Sequence, residues 1–336
     1  MFNKIYDVIK NFMKDYGIFL IGMILILICV FVRVPYEVNM PGGIIDLENR
    51  VMVDGESANI EGSFNMAYVS VAQGSIPHVL LSFIIPDWDL EPISDVTYEN
   101  ETIEEANERE KLLLLQSKNM AMVAALEAAN IEYTITNNIN YVAYIDSKAK
   151  TDLQVGDNII ECNGKKILNI DEITDIIQSE EVGKKVSFKV LRDDKEVETY
   201  GIVYEEDGKK IVGISAITIF DLNCDKEIEI SSKTSESGPS GGLMMSLMVY
   251  NALTNQDLTH GKKIVGTGTI SRDGTVGEIG GVKYKVMGAF KADADVFLVP
   301  EGNYDEAIKV KEEKGYDLEI VEVKTLQDAI NYLEGL

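Results

Sequence analysis

The chain has 336 residues, 31 of them Lys or Arg and 56 Asp or Glu, for a formal net charge of −25 at pH 7. At 46% hydrophobic and 26% charged, it has the composition of packed globular protein, long enough for two or three domains. The acidic balance argues against nucleic acid as a partner, and two His with three scattered Cys (Cys29, Cys162, Cys224) argue against a metal site or a disulfide scaffold.

From Tyr16 to Val32 no residue is charged, and Ile18 to Val32 is almost wholly apolar. Lys14 and Arg33 can snorkel at its ends, so residues 16–34 predict a transmembrane anchor behind a short segment, 1–15. The run leads into Arg33-Val34-Pro35-Tyr36, without the small residues of a signal-peptide cleavage site. Lys4, Lys10 and Lys14 precede the span, whereas only Arg33 and Arg50 follow closely, which puts the N-terminus in the cytoplasm and the bulk of the chain outside it. Ile5, Val8, Ile9, Phe12 and Tyr16 recur at helical spacing, as in either a helix lying on the membrane or one continuous helix.

Residues 35–130 read as a β-rich and helical extracytoplasmic region. Strands are expected at Arg50 to Val53 and Ser63 to Val71, then a long helix opened by a Thr102–Glu105 capping box. The acidic stretch Asp95 to Glu110 reads as a solvated face, and Met120, Met122, Ala124 and Leu126 as core.

Short strands and turns follow over 131–205. Tyr141-Val142-Ala143-Tyr144-Ile145 is β-prone, Gly156-Asp157 and Asn163-Gly164 mark turns, Asp171 to Ile177 reads as a short helix and Lys185 to Leu191 as another strand. The arrangement resembles a bacterial PDZ domain. The resemblance implies a peptide-binding groove between Tyr141 to Ile145 and Asp171 to Gln178, although a Gly-Leu-Gly-Phe loop is absent.

Residues 206–336 alternate strands and helices: strand Ile211 to Phe220, helix Gly241 to Leu253, strand Lys263 to Ile270, helix Val282 to Ala292, strand Asp295 to Val299, then Leu318 to Val323 and Thr325 to Leu333. Ser237-Gly238-Pro239-Ser240-Gly241-Gly242 stands directly before an apolar helix, where unpaired N–H groups and the helix dipole favour a developing oxyanion. Downstream, Gly280-Gly281-Val282-Lys283-Tyr284-Lys285 opens a second helix. Lys283 and Lys285 are two apart, so at most one points inward, and an inward lysine loses solvation and becomes a base. A Ser-His-Asp triad would have to recruit His260 from a loop, whereas a Ser-Lys dyad needs only groups at two helix starts.

These motifs resemble the Lon-type serine peptidases, most closely their membrane-anchored, PDZ-containing YlbL/SepM-like branch. The resemblance implies Ser240 as nucleophile, Lys285 as base and Thr267 as a partner of that lysine, with Gly238 and Gly241 giving the substrate access. Gly241 stands where Ala is common, and Thr269 where the ATP-dependent members often carry Glu. The fold expected is α/β and β, multi-domain: transmembrane helix, β-rich segment with a long helix, PDZ domain and C-terminal Lon-type peptidase domain. No GxxxxGK[ST] loop occurs, so an ATP-independent serine endopeptidase acting on extracytoplasmic proteins or peptides is expected, with no cofactor or metal. The resemblance also implies a homo-oligomer. The alternative is a membrane-tethered PDZ binding module with a catalytically silent peptidase-like domain.

Overall fold

The computed structural model describes residues 2–336; the side chains of residues 2–4 and 7–9, among them Lys4, Val8 and Ile9, lie outside the described set. In chain order, helix α1 (Phe2–Phe31) leads into β1 (Arg33–Asp46), β2 (Val51–Val53) and β3 (Ser63–Ser75). Then come α2 (Ile76–Ser82), β4 (Asp89–Pro92), α3 (Ile93–Val96) and the long α4 (Ile103–Ala128). A β-rich block follows: β5 (Thr134–Ile145), β6 (Asn158–Cys162), β7 (Lys165–Lys166), α5 (Ile170–Ser179), β8 (Lys185–Arg192) and β9 (Lys195–Ile202). Hairpin β10 (Tyr204–Glu206) and β11 (Lys209–Ile211) joins it to β12 (Ile214–Asn223) and β13 (Ile228–Ile230). The remainder is α6 (Gly242–Thr254), β14 (Lys263–Gly266), β15 (Thr269–Ile270), β16 (Val276–Gly277), α7 (Val282–Lys291), β17 (Val296–Pro300), α8 (Tyr304–Lys314), β18 (Glu319–Val323) and α9 (Leu326–Glu334).

The chain divides into two compact units, the first made of the chain up to Pro41 with Ser70–Val96. In it the leader and the apolar run form one continuous helix. Its Lys10–Phe31 portion, 22 residues, is long and apolar enough to cross a membrane. Strand β4 pairs antiparallel with β1 from Tyr36↔Pro92 to Asn39↔Asp89.

The second unit, Gly42–Val69 with Thr97–Leu336, holds three layers. Its sheet runs β18-β17-β14-β3-β1, in which β14 pairs parallel with both β3 and β17, and β17 pairs parallel with β18. Alternate residues of each strand serve opposite faces. Phe64, Ile264 and Leu298 meet α4, α6 and α9, while Ala67, Val265, Phe297 and Val299 meet α7 and α8. Helix α6 is apolar and buried along most of its length, the centre of the larger core. Helix α8 was not among the expected elements; it is mostly charged, and only Ala307 and Val310 are buried.

A linear succession of separate domains is therefore not what forms. Strand β3 pairs with β14 (Phe64↔Ile264), β2 pairs with β13 (Met52↔Glu229), and α4 packs on α6, so the upstream region closes the C-terminal domain. The β-rich block, followed by β10 to β12, is inserted between α4 and β13. It has its own core of Val142, Leu153, Ile159, Ile173, Phe188 and Val190, and Leu112 of α4 packs on Ala143 and Ile217. The expected capping box opens α4: Thr102 Oγ1 accepts from Glu105 N, and the Glu105 carboxylate accepts from Thr102 N.

Candidate active site

The loop before α6 is held from outside by α4. Gly238 N donates to the Glu110 carbonyl at 2.9 Å, with Gly238 at φ +87°, and Ser117 Oγ donates to the Pro239 carbonyl at 2.9 Å. The helix cap is Gly241, with no side-chain cap bond, so the half-buried Ser240 hydroxyl is not spent on capping. Gly242 N donates to the Pro239 carbonyl and Leu243 N to the Gly268 carbonyl. The N–H groups of Ser240 and Gly241 donate to no group among the described residues, which suits them to a substrate oxygen.

The strand expected over Lys263 to Ile270 breaks at Thr267-Gly268, and the break serves this loop. Thr267 N still bonds the Leu298 carbonyl of the neighbouring strand, but Gly268 N turns to the Ser240 carbonyl at 2.8 Å, and Thr267 Oγ1 donates to the same carbonyl at 3.0 Å. Lys285 lies one turn into α7, whose cap Gly281 adopts φ +69°, and is 3% exposed. Its Nζ donates to Thr267 Oγ1 at 3.0 Å. A hydroxyl has one proton to give, so Thr267 fixes both the Ser240 backbone and the amine. Burial pushes the Lys285 pKa from 10.5 down to about 8. No hydrogen bond joins Ser240 Oγ to Nζ directly; catalytic contacts of this kind often tighten only around substrate.

Lys283, by contrast, is partly exposed with its Nζ above the Tyr284 ring, so of the two lysines only Lys285 is buried. His260 is exposed in the turn before β14, whereas Thr267 follows the far end of that strand, whose own length is roughly 13 Å at the rise of a β-strand. At Gly241 an added Cβ would stand 2.6 Å from Met66 Sδ, so the β3 methionine occupies the space an alanine would need. Ser117 and Met66 carry no local sequence signal.

The acidic stretch is not uniformly solvated. The Glu101 carboxylate is buried against Arg109 Nε at 2.7 Å, Arg109 also pairs with Glu110, and the Tyr98 ring lies beneath the guanidinium. Burial pushes the Glu110 carboxyl up against the pull of Arg109. Cys162 is a buried thiol pushed up to about 12.

At the expected peptide groove, Tyr141, Val142, Ala143, Tyr144 and Ile145 lie on β5, but the strand edge is not open. Val142 exchanges hydrogen bonds with Asp157 and Gly156 on one side, and β12 is paired along the other: Tyr141↔Ile217, Val142↔Ala216, Tyr144↔Ser215, Ile145↔Ile214. Helix α5 also contacts β12, and its Gln178 exchanges hydrogen bonds with Lys210 of β11. A strand of the chain itself therefore stands where an added peptide was expected.

Residues 226–334 match the Lon protease (S16) C-terminal proteolytic domain, and residues 121–200 match the PDZ domain. The chain carries a Lon-type proteolytic domain and a PDZ domain. A Lon protease of Campylobacter jejuni is 26% identical over 230 residues, 66% of this chain and 27% of that protein. One of Campylobacter concisus is 30% identical over 146 residues, 42% and 18% respectively. The chain thus spans about a quarter or less of these curated relatives. The solved PDZ domain of an SdrC-like protein from Listeria monocytogenes is 23% identical, with a TM-score of 0.23, covering 25% of this chain and 93% of that one. The matched Lon-type segment begins at β13, so the β-strands and α4 that complete its core here lie upstream of the match.

Proposed function

We propose that the chain is a membrane-anchored serine endopeptidase of the YlbL/SepM-like kind, cleaving extracytoplasmic proteins or peptides through Ser240 and Lys285. The observation that carries this reading is the buried Lys285 amine, tied through Thr267 to the Ser240 backbone and depressed to about 8. A neutral amine gives N–H to Thr267 and keeps its lone pair for the Ser240 hydroxyl. As Ser240 Oγ attacks the scissile carbonyl, Lys285 takes its proton. The oxyanion is met by the N–H groups of Ser240 and Gly241. The proton passes to the departing amine, and the same lysine then activates water against the acyl ester.

The dyad consumes no nucleotide, and the 336 residues contain no phosphate loop, so substrates are unfolded segments, exposed loops or peptides. Helix α1 anchors the chain in the lipid bilayer with the N-terminus in the cytoplasm, as the lysines before the span favour. The PDZ domain selects or regulates substrate, and the active form is a homo-oligomer. Labelling with a serine-reactive acylating probe, followed across pH, tests the chemistry. Labelling should rise through about pH 8, vanish in Ser240→Ala and Lys285→Ala, and persist in His260→Ala. A silent scaffold would label no better than Ser240→Ala at any pH.

A further inference from the structure

Beside the anchor, the first unit carries an apolar segment that none of the chemistry above uses. Strand β1 begins two residues after α1 ends, and the end of β3 lies against that beginning: a Cβ on Gly74 would meet the Tyr36 carbonyl at 2.7 Å and Val34 Cγ2 at 2.8 Å. Helix α2 starts two residues after Gly74. At the rise of a strand, this places it within roughly 10 Å of the point where the apolar run ends. Helices α1 and α2 are in contact.

No residue of α2 is buried. Leu80 is 60% exposed, Phe83 79% and Ile84 75%, with Leu81 exposed beside them. From Ile76 to Pro86 the sequence has no Asp, Glu, Lys or Arg, and Asp87, Asp89 and Glu91 mark its end. His78 accepts or donates within a hydrogen bond to Ser75 Oγ, and its ring lies beside that of Trp88, the only tryptophan of the chain.

In water such a cluster is an uncompensated apolar patch; beside the end of a membrane span it faces lipid. We propose that residues 76–88 form a second, non-spanning contact with the bilayer that α1 crosses. Leu80, Phe83 and Ile84 enter the acyl boundary of the leaflet from which β1 emerges. Trp88 sits at headgroup depth, where the amphipathic indole is favoured. The acidic residues after Pro86 stay in water, so the contact is driven by apolar burial and needs no anionic lipid. The proposal rests on α1 being a span; its occupant is lipid because the patch is continuous with that span within one unit.

The test uses the full chain in phosphatidylcholine liposomes, and Trp88 reports without any label. Flotation after alkaline carbonate extraction reads α1. Phosphatidylcholine brominated near the headgroup end of its acyl chains reads residues 76–88, and iodide in the aqueous phase reads exposure to water. The expected result is flotation, loss of Trp88 emission in brominated lipid and little loss with iodide. Phe83→Asp with Ile84→Asp should still float, with an unchanged circular dichroism spectrum, but lose the bromine quenching and gain iodide quenching. A chain that floats while Trp88 keeps its emission in brominated lipid overturns the proposal and leaves the anchor standing. Quenching by iodide would then put the segment in water, and shielding from both would mean that protein covers it. A chain that fails to float overturns the anchor and the proposal together.

Discussion

Replacing Lys285 by Met removes the amine while keeping most of the side chain's length and apolar contact. In the folded chain Lys285 is 3% exposed, and burial lowers its pKa from 10.5 to about 8. The unfolded chain keeps the proton to about pH 10.4, so below pH 8 folding buries a charge that the unfolded state leaves in water. At about 1.4 kcal/mol per pH unit, this difference costs the folded protein about 3 kcal/mol at neutral pH. The folded pKa is the lower one, so between the two values the unfolded state binds more protons and wild-type stability rises with pH. Lys285→Met removes that dependence and gives up one hydrogen bond to Thr267, worth about 1 kcal/mol. Urea unfolding of the full chain in detergent micelles should therefore find the variant about 2 kcal/mol more stable at neutral pH, with the advantage gone by about pH 10. The same variant should not hydrolyse peptide, as expected where an active site is held at the expense of stability. An advantage that does not change with pH, or a variant less stable at neutral pH, would refute the assignment of a desolvated amine.

Two further outcomes follow from the loop around Ser240. Ser117→Ala removes the donor to the Pro239 carbonyl, and a loss of about 1 kcal/mol in loop definition should slow acylation of Ser240 about fivefold with little change in KM, read by burst kinetics. An unchanged acylation rate would mean that the bonds from Gly238 N, Gly268 N and Thr267 Oγ1 hold the loop without Ser117. The two glycines after Ser240 should differ: a Cβ at Gly242 stands 2.7 Å from Ile270 Cγ2 and 2.9 Å from Ile270 N, whereas one at Gly241 meets chiefly the movable Met66 sulfur. Gly242→Ala should cost about 1–3 kcal/mol and Gly241→Ala well under half of that, and equal losses of Tm would contradict the packing.

What could be read from the sequence was local. Thr102 with Glu105, Asn163-Gly164 and Gly280-Gly281 each state their geometry within four residues, and they form the cap, turn and helix start expected of them. Gly-Pro-Ser and the buried lysine were legible for the same reason, since each stands at the start of its own helix. The pairing of Phe64 with Ile264 was not, because parallel strands share no turn and nothing in Ser63 to Ser75 names its partner. Ser117 carries no signal of its own, because a serine inside a helix is ordinary until the loop it braces is known. Glu101 departs from the solvated face expected of its stretch because its partner, Arg109, is reached across the start of α4 rather than along a helix face.

The insertion also changes what a PDZ domain can do here. Strand β12 is the neighbour of β5 at the edge where a peptide would add, and only four residues separate it from β13, which pairs with β2. Beyond β13 the chain runs directly through residues 231–239 to Ser240. A peptide adding to Tyr141 to Ile145 must first strip β12 of a long antiparallel ladder, at a cost the peptide has to recover from its own pairing. On the proposal that this domain regulates hydrolysis, the affinity of the edge and the setting of the Ser240 loop are then two readouts of one strand. A ligand that favours the displaced state shifts the loop only by its difference in affinity between the two states. Removing the whole block would leave β12 without its partner and expose a strand edge, so a loss of activity on deletion would not distinguish a selector of substrate from a support of the loop.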